Sequence, residues 1–110
     1  EWPDLLTAAR LIETRADEVN GDEYGLLSPA AEVLRVRHPL AAVLLWRAMI
    51  DDTLENGRST RYGYAADHLS ECAALDAEVA DYGEFPTHAH YVQALQTQHE
   101  RKSSFWAKLQ

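Results

Sequence analysis

Residues 39–50 read PLAAVLLWRAMI, and a helix of that sequence has almost no face to give to solvent. At helical spacing Leu40, Val43, Leu44 and Ile50 fall on one side, and Ala42, Leu45, Trp46 and Met49 on another. A helix that is apolar nearly all round belongs at the centre of a bundle, covered by other helices. It cannot be a membrane span, because a bilayer needs about 20 apolar residues and this run is shorter and carries Arg47. Pro39 opens the helix, since the residue before a proline avoids helical geometry, and Asn56-Gly57 closes it.

The segments on either side supply the covering helices. PDLLTAARLIETRADEVNG (3–21) starts with Pro3, places Leu5, Ala8, Ala9, Ile12 and Ala16 on one face, and stops at Asn20-Gly21. In residues 22–39 a loop is expected first, then a short helix capped by Ser28 with Pro29 in its first turn. After the polar link at 57–60, residues 61–83 carry Tyr62, Ala65, Ala66, Leu69, Cys72, Ala73 and Val79 at helical spacing. That helix should pack antiparallel on 39–54, because a link of about five residues leaves few alternatives. Thr87 is the expected cap of a last helix over 88–102, and Ser103 or Ser104 of a final turn through Leu109.

No strand pattern competes with these helices. The reading is an all-α domain over residues 1–110, an antiparallel bundle of about five helices. The 39–54 and 60–80 pair has the helix-hairpin shape that solenoid and TPR-like arrays repeat. The chain begins Glu1-Trp2 without a methionine, so the expectation is the C-terminal part of a longer protein.

Charge and cysteine usage bound the functions. Residues 1–100 hold 18 acids and seven Lys/Arg, a balance of −11, whereas 101–110 hold Arg101, Lys102, Lys108 and no acid. A body so acidic opposes a phosphate backbone, so no nucleic-acid partner is expected. Cys72 is the single cysteine; it can form no disulfide within the chain, which fits a reducing, cytoplasmic setting. No membrane partner is expected. There is no GxGxxG, Walker, HExxH or GxSxG motif.

The histidines look at first like metal ligands. Two histidines on one helix chelate only when one turn apart. His88 and His90 face about 200° apart and His88 lies about 16 Å from His99 along a helix axis, so 88–99 makes no self-contained site. His68 and Cys72 have the right spacing, but a site would need two or three further ligands, such as His88 or His90 brought in by the fold with Asp67, Asp76 or Asp81 nearby, and Cys72 lies on the face expected to be buried, where a thiol is inert. No metal, no cofactor and no catalytic residue is expected.

Arg47 is the most informative polar residue. Inside an apolar helix its guanidinium must reach solvent along its stem or find a partner, and Asp51, one turn on, suggests a structural Arg47–Asp51 ion pair. Asp51, Asp52 and Glu55 form an acidic group at the end of that helix, an unfavourable place for carboxylates on dipole grounds.

The string RHPLAAVLLWRAMIDDTLENGRSTRYGYAADHLSECAAL (37–75), with YGEFPTHAHYVQALQTQHERKSSFWAKL (82–109), resembles the C-terminal region of a bacterial family classed as a domain of unknown function. It is also loosely similar to the helical tail of some SWIM zinc-finger proteins. The matching positions are Pro39-Leu40 and Arg47; Tyr62, Ala65 or Ala66, and Leu69; then Arg101, Lys102, Phe105 and Trp106. The resemblance implies an all-helical fold and no named activity. The cysteines of a SWIM finger are absent.

Two functions follow as expectations. The first is a helical protein-interaction or structural module without catalytic activity, docking on a protein partner or the rest of its own chain through Arg101, Lys102, Phe105 and Trp106, the aromatic-plus-arginine composition that interfaces favour. The second is an enzyme or small-ligand domain with a cleft around Arg47, His68 and the acids Asp51, Asp52 and Glu55. The two differ in whether those polar groups converge in one cavity.

Overall fold

The computed structural model describes residues 5–109; the helix start expected at Pro3 lies outside them. Among these residues there are six α-helices and no strand: α1 Leu5–Thr14, α2 Tyr24–Leu34, α3 Pro39–Glu55, α4 Tyr62–Leu75, α5 His88–Gln98 and α6 Ser103–Ala107. Short 3-10 turns lie at Ala16–Glu18, Ser59–Arg61 and Asp76–Glu78. The all-α bundle therefore holds, with one helix more than the five expected.

α3 is the hub on which α1, α2 and α4 all pack. Pro39 occupies its first turn, where a missing N–H costs nothing, and Gly57 adopts a positive φ of 60° as the chain leaves it. Ala41, Val43, Trp46, Met49, Ile50 and Leu54 are buried on every side of the helix. Burying a large apolar side chain contributes about 1.5–3 kcal/mol, so this one helix supplies much of the core.

α4 crosses α3 on its alanine face, Ala65 and Ala66 being buried. Cys72, near the end of α4, sets its sulfur 4.0 Å from the Val43 carbonyl near the start of α3, which makes the pair antiparallel as expected. On the other flank Tyr24 anchors α2: its hydroxyl lies 2.6 Å from Oγ1 of the buried Thr53 and so satisfies the one hydroxyl inside α3.

That anchor explains a difference at α2. The helix starts at Tyr24, with Pro29 inside it, and Ser28 is no cap; its Oγ instead reaches Met49 Sδ at 3.6 Å. A proline ring clashes with the carbonyl four residues back, here that of Gly25, around which an added Cβ would meet nothing within 4 Å. The helix nevertheless continues through Pro29 and keeps Leu27 in the core.

The C-terminal end also departs from expectation. α5 stops at Gln98 with His99 as its C-cap, so Arg101 and Lys102 follow the helix instead of forming its last turn. Thr87 does cap it, accepting from the His90 N–H at 3.3 Å. Lys102, and neither serine, precedes α6.

Candidate functional site

Arg47 is 5% exposed, yet the expected Arg47–Asp51 ion pair is not formed; the ion pairs among the described residues do not include it. The guanidinium turns instead towards the segment joining α4 to α5, where Nη1 donates to the Pro86 carbonyl at 2.8 Å. Two tyrosine rings bracket it, Tyr91 with its centroid 4.5 Å from Cζ and Tyr82 at 5.3 Å. Each tyrosine hands a hydrogen bond to an acid: Tyr91 Oη to Asp51 Oδ1 at 2.8 Å, and Tyr82 Oη to Asp76 Oδ1 at 2.7 Å. The cation thus meets its carboxylates through π faces and phenol hydroxyls.

This arrangement distorts the titration of its members. Burial pushes the Asp51 carboxyl up to about 6; the Tyr91 hydrogen bond opposes that, the nearby Glu55 charge adds to it and the Arg47 charge opposes it. Burial also raises both phenols, Tyr82 to about 12. The guanidinium edges remain unmet: Arg47 Nε and Nη2 are buried without a hydrogen-bond partner in the chain.

A cleft opens beside this cluster. Its inner hollow, about 260 Å³, is lined by Arg47, Asp51 and Tyr91 together with Leu44, Phe85 and Pro86. Its outer hollow, about 340 Å³, adds Asp52, Glu55 and the backbone turn at 19–21. Ala16, Asp17, Ala48 and Asp51 border both, so the two form one groove between the 16–18 turn and α3. Asp52 is already engaged, by Arg58 Nε at 3.1 Å and Asn56 Nδ2 at 3.0 Å. Asp17 and Glu55 are exposed and enter no ion pair among the described residues.

His68 does not join this groove. It lies beside Tyr24, ring centroids 5.7 Å apart, with Nδ1 buried and unpartnered and its basicity lowered by burial. The polar groups expected around one cleft are thus distributed: Arg47 and Asp51 line the inner hollow, Asp51, Asp52 and Glu55 the outer one, and His68 lies beside Tyr24 of α2. Cys72 is fully buried and burial pushes its thiol up to about 12, which makes it an unreactive packing residue. Among the described residues no group of three or more His, Cys, Asp or Glu could hold a metal ion.

The second candidate region is the α5–α6 end, where the four expected interface residues separate. Phe105 is wholly buried and packs edge-on against Tyr62 and Trp106, at 6.0 and 4.9 Å. It is core and no part of an exposed surface, contrary to expectation, because its ring seals α6 onto Tyr62 of α4. Trp106 is half-buried, donates Nε1–H to the His99 carbonyl at 2.8 Å, and lines a hollow of about 480 Å³ with Leu69, Val92, Gln96, Glu100 and Leu109. Arg101 is exposed and Lys102 partly so. Neither enters an ion pair among the described residues. Arg58 and Arg61, by contrast, are committed to Asp52 and Asp22, the latter at 2.6 Å, so they add no free cations to that end.

Sequence reasoning does not single out Tyr82 or Tyr91. The signal that could have found them is Arg47 itself: a guanidinium in an apolar helix needs flat faces or carbonyls, and YGEFP followed by HAHY supplies both.

The class defined by these features is a small all-α domain built on one buried helix, with an arginine locked between two tyrosine–aspartate pairs. The chain belongs to the family described as "Family of unknown function (DUF6880)", whose family model matches residues 1–108. That match takes in α1 and α2 as well as the strings 37–75 and 82–109. No curated protein and no solved structure matches it. Among the described residues no helix is long and apolar enough to cross a membrane.

Proposed function

We propose that this chain is a helical interaction module without catalytic activity, whose partner-facing surface is the α5–α6 end. The observation that carries the reading is the half-buried Trp106 at the edge of a mostly apolar hollow, with the cations Arg101 and Lys102, in no ion pair among the described residues, lining an adjoining hollow that shares Glu100 with it. Interface hot spots are enriched in tryptophan and arginine around apolar pockets, and unpaired cations at a rim select partners by charge. The occupant that fits is an acidic, amphipathic segment of a protein partner, one apolar side chain entering between Val92 and Trp106 and carboxylates meeting Arg101 and Lys102. The α3–α4 hairpin, like those of TPR-like arrays, serves as the rigid support. A reducing, cytoplasmic setting accords with a buried free Cys72.

The test is fluorescence anisotropy with a labelled Leu/Glu amphipathic peptide and its Leu/Lys counterpart. Saturable binding of the acidic peptide alone, weakened about tenfold or more by Trp106→Ala and by Arg101→Glu/Lys102→Glu in folded variants, supports the reading. Equal binding of both peptides, or indifference to all three substitutions, overturns it.

A further inference from the structure

α2 carries a second apolar face that the bundle leaves uncovered. Leu27, Ala30, Ala31 and Leu34 are buried where α2 packs on α3. Leu26, Pro29, Val33 and Val36 stay exposed, Leu26, Val33 and Val36 by 59%, 40% and 77%. The chain holds its helical course as far as Val36, since Arg35 keeps helical dihedrals (φ −57°, ψ −29°) and the His38 N–H donates to the Leu34 carbonyl at 2.7 Å. At 3.6 residues per turn the four exposed residues fall within an arc of about 80°, roughly 130° round the helix from the centre of the buried set. Their spacing of three, four and three is that of the seam of a two-stranded coiled coil. The other large apolar residues exposed among the described ones, Leu6, Leu11 and Tyr64, have no such spacing.

The charges beside the seam say what covers it. Glu32 comes directly before Val33 and Arg37 directly after Val36, so they flank the seam on opposite sides. In a parallel pair of identical helices these two positions face one another, Glu32 of each copy against Arg37 of the other. An antiparallel pair would bring like flank to like flank and lose that match. Both residues are exposed, and Arg37 enters no ion pair among the described residues. Glu32 meets Arg35 Nη1 at 3.2 and 3.4 Å, and its carboxylate has lone pairs left for a second cation. We propose that two copies of this chain pair in parallel through α2, the seam of Leu26, Pro29, Val33 and Val36 closing on its own copy and held by two Glu32–Arg37 ion pairs across it. A seam of about three turns is far smaller than the roughly 20–30 residues a side of a standard interface, so the dimer is a weak one. This face shares no residue with the hollow at Trp106, so self-association and partner binding can fail separately.

The experiment is sedimentation equilibrium of the whole chain at physiological salt. A monomer–dimer equilibrium with a dissociation constant between about 1 μM and about 1 mM is expected. Val36→Glu and Leu26→Glu, both at exposed positions, should each weaken it about tenfold or more, with unchanged circular dichroism, by placing like charges face to face in the seam. Arg37→Glu should weaken it several-fold, since Glu32 then meets a second carboxylate. Glu32→Arg/Arg37→Glu in one chain should restore it, because every pair across the seam is reversed together. A chain that stays monomeric up to about 1 mM, a dimer indifferent to Val36→Glu and Leu26→Glu, or a double reversal no tighter than Arg37→Glu alone overturns the proposal. So does a dimer lost with Trp106→Ala, which would move the self-association to the α5–α6 end.

Discussion

Tyr91 holds two opposite charges apart and in register: its hydroxyl donates to Asp51 Oδ1 at 2.8 Å while its ring lies 4.5 Å from the Arg47 guanidinium. Tyr91→Phe keeps the ring and removes only the donor. The half-buried Asp51 carboxylate then loses its partner, and stranding a buried acceptor costs about 1–3 kcal/mol. Urea unfolding at pH 7 should show that loss in the midpoint with the slope unchanged. An unchanged midpoint would mean that water replaces the hydroxyl without penalty.

The same carboxyl sets a pH dependence. Burial and the neighbouring Glu55 charge carry Asp51 to about 6 against the opposing Tyr91 and Arg47, whereas an unfolded aspartate titrates near about 3.9. Between those values the folded chain binds the extra proton, so stability contributed by this group falls as pH rises through the window from about 4 to about 6. Asp51→Asn should therefore stabilise the protein at pH 7 by up to about 2–3 kcal/mol and lose that advantage below about pH 4. The histidines act in the opposite sense: burial lowers His68, His88 and His99, so their contribution is lost as pH falls through about 6.5. Comparing the variant with the parent at each pH cancels them.

How much of this was legible beforehand depended on whether one residue or several decided the outcome. The central helix could be read because PLAAVLLWRAMI has no polar face, and its antiparallel partner because the link is short. The start of α2 could not, since Pro29 argued for a late start and only the long-range bond from Tyr24 to Thr53 shows why the helix begins before it. For Arg47 the sequence leaves two outcomes, a guanidinium that reaches solvent or one that is paired, and proximity in sequence points to Asp51 as the partner. The actual partners, Pro86 and the rings of Tyr82 and Tyr91, are some 35 to 44 residues away along the chain. Proximity in sequence ranks polar partners poorly wherever a loop returns over a helix.

Gly21 marks the place where the turn after the 16–18 segment docks on α3. A Cβ built there would collide with the Ala48 carbonyl and stand 2.9 Å from Asp52 Cβ. The conflict is with helix backbone, which cannot swing aside as a side chain would. Gly21→Ala should cost at least the about 1–3 kcal/mol typical of overpacking, read as a lowered thermal midpoint. Gly25→Ala, with open space around it and a helical backbone, should instead be neutral or slightly stabilising by helix propensity.

Phe105 and Trp106 are neighbours in sequence with opposite prospects. Phe105 is 0% exposed between Tyr62 and Trp106, and its removal leaves a cavity where α6 meets α4. Phe105→Ala should cost about 3–5 kcal/mol and release α6, so that any loss of binding it causes reports unfolding. Trp106 is half-buried and held by one hydrogen bond to the His99 carbonyl. Trp106→Ala gives up that bond and part of an apolar face, about 1–2 kcal/mol, and leaves Phe105 in place. Chemical unfolding of the two variants side by side should separate them clearly; equal losses would show that the Trp106 hollow is an extension of the core, and would remove it as a docking surface.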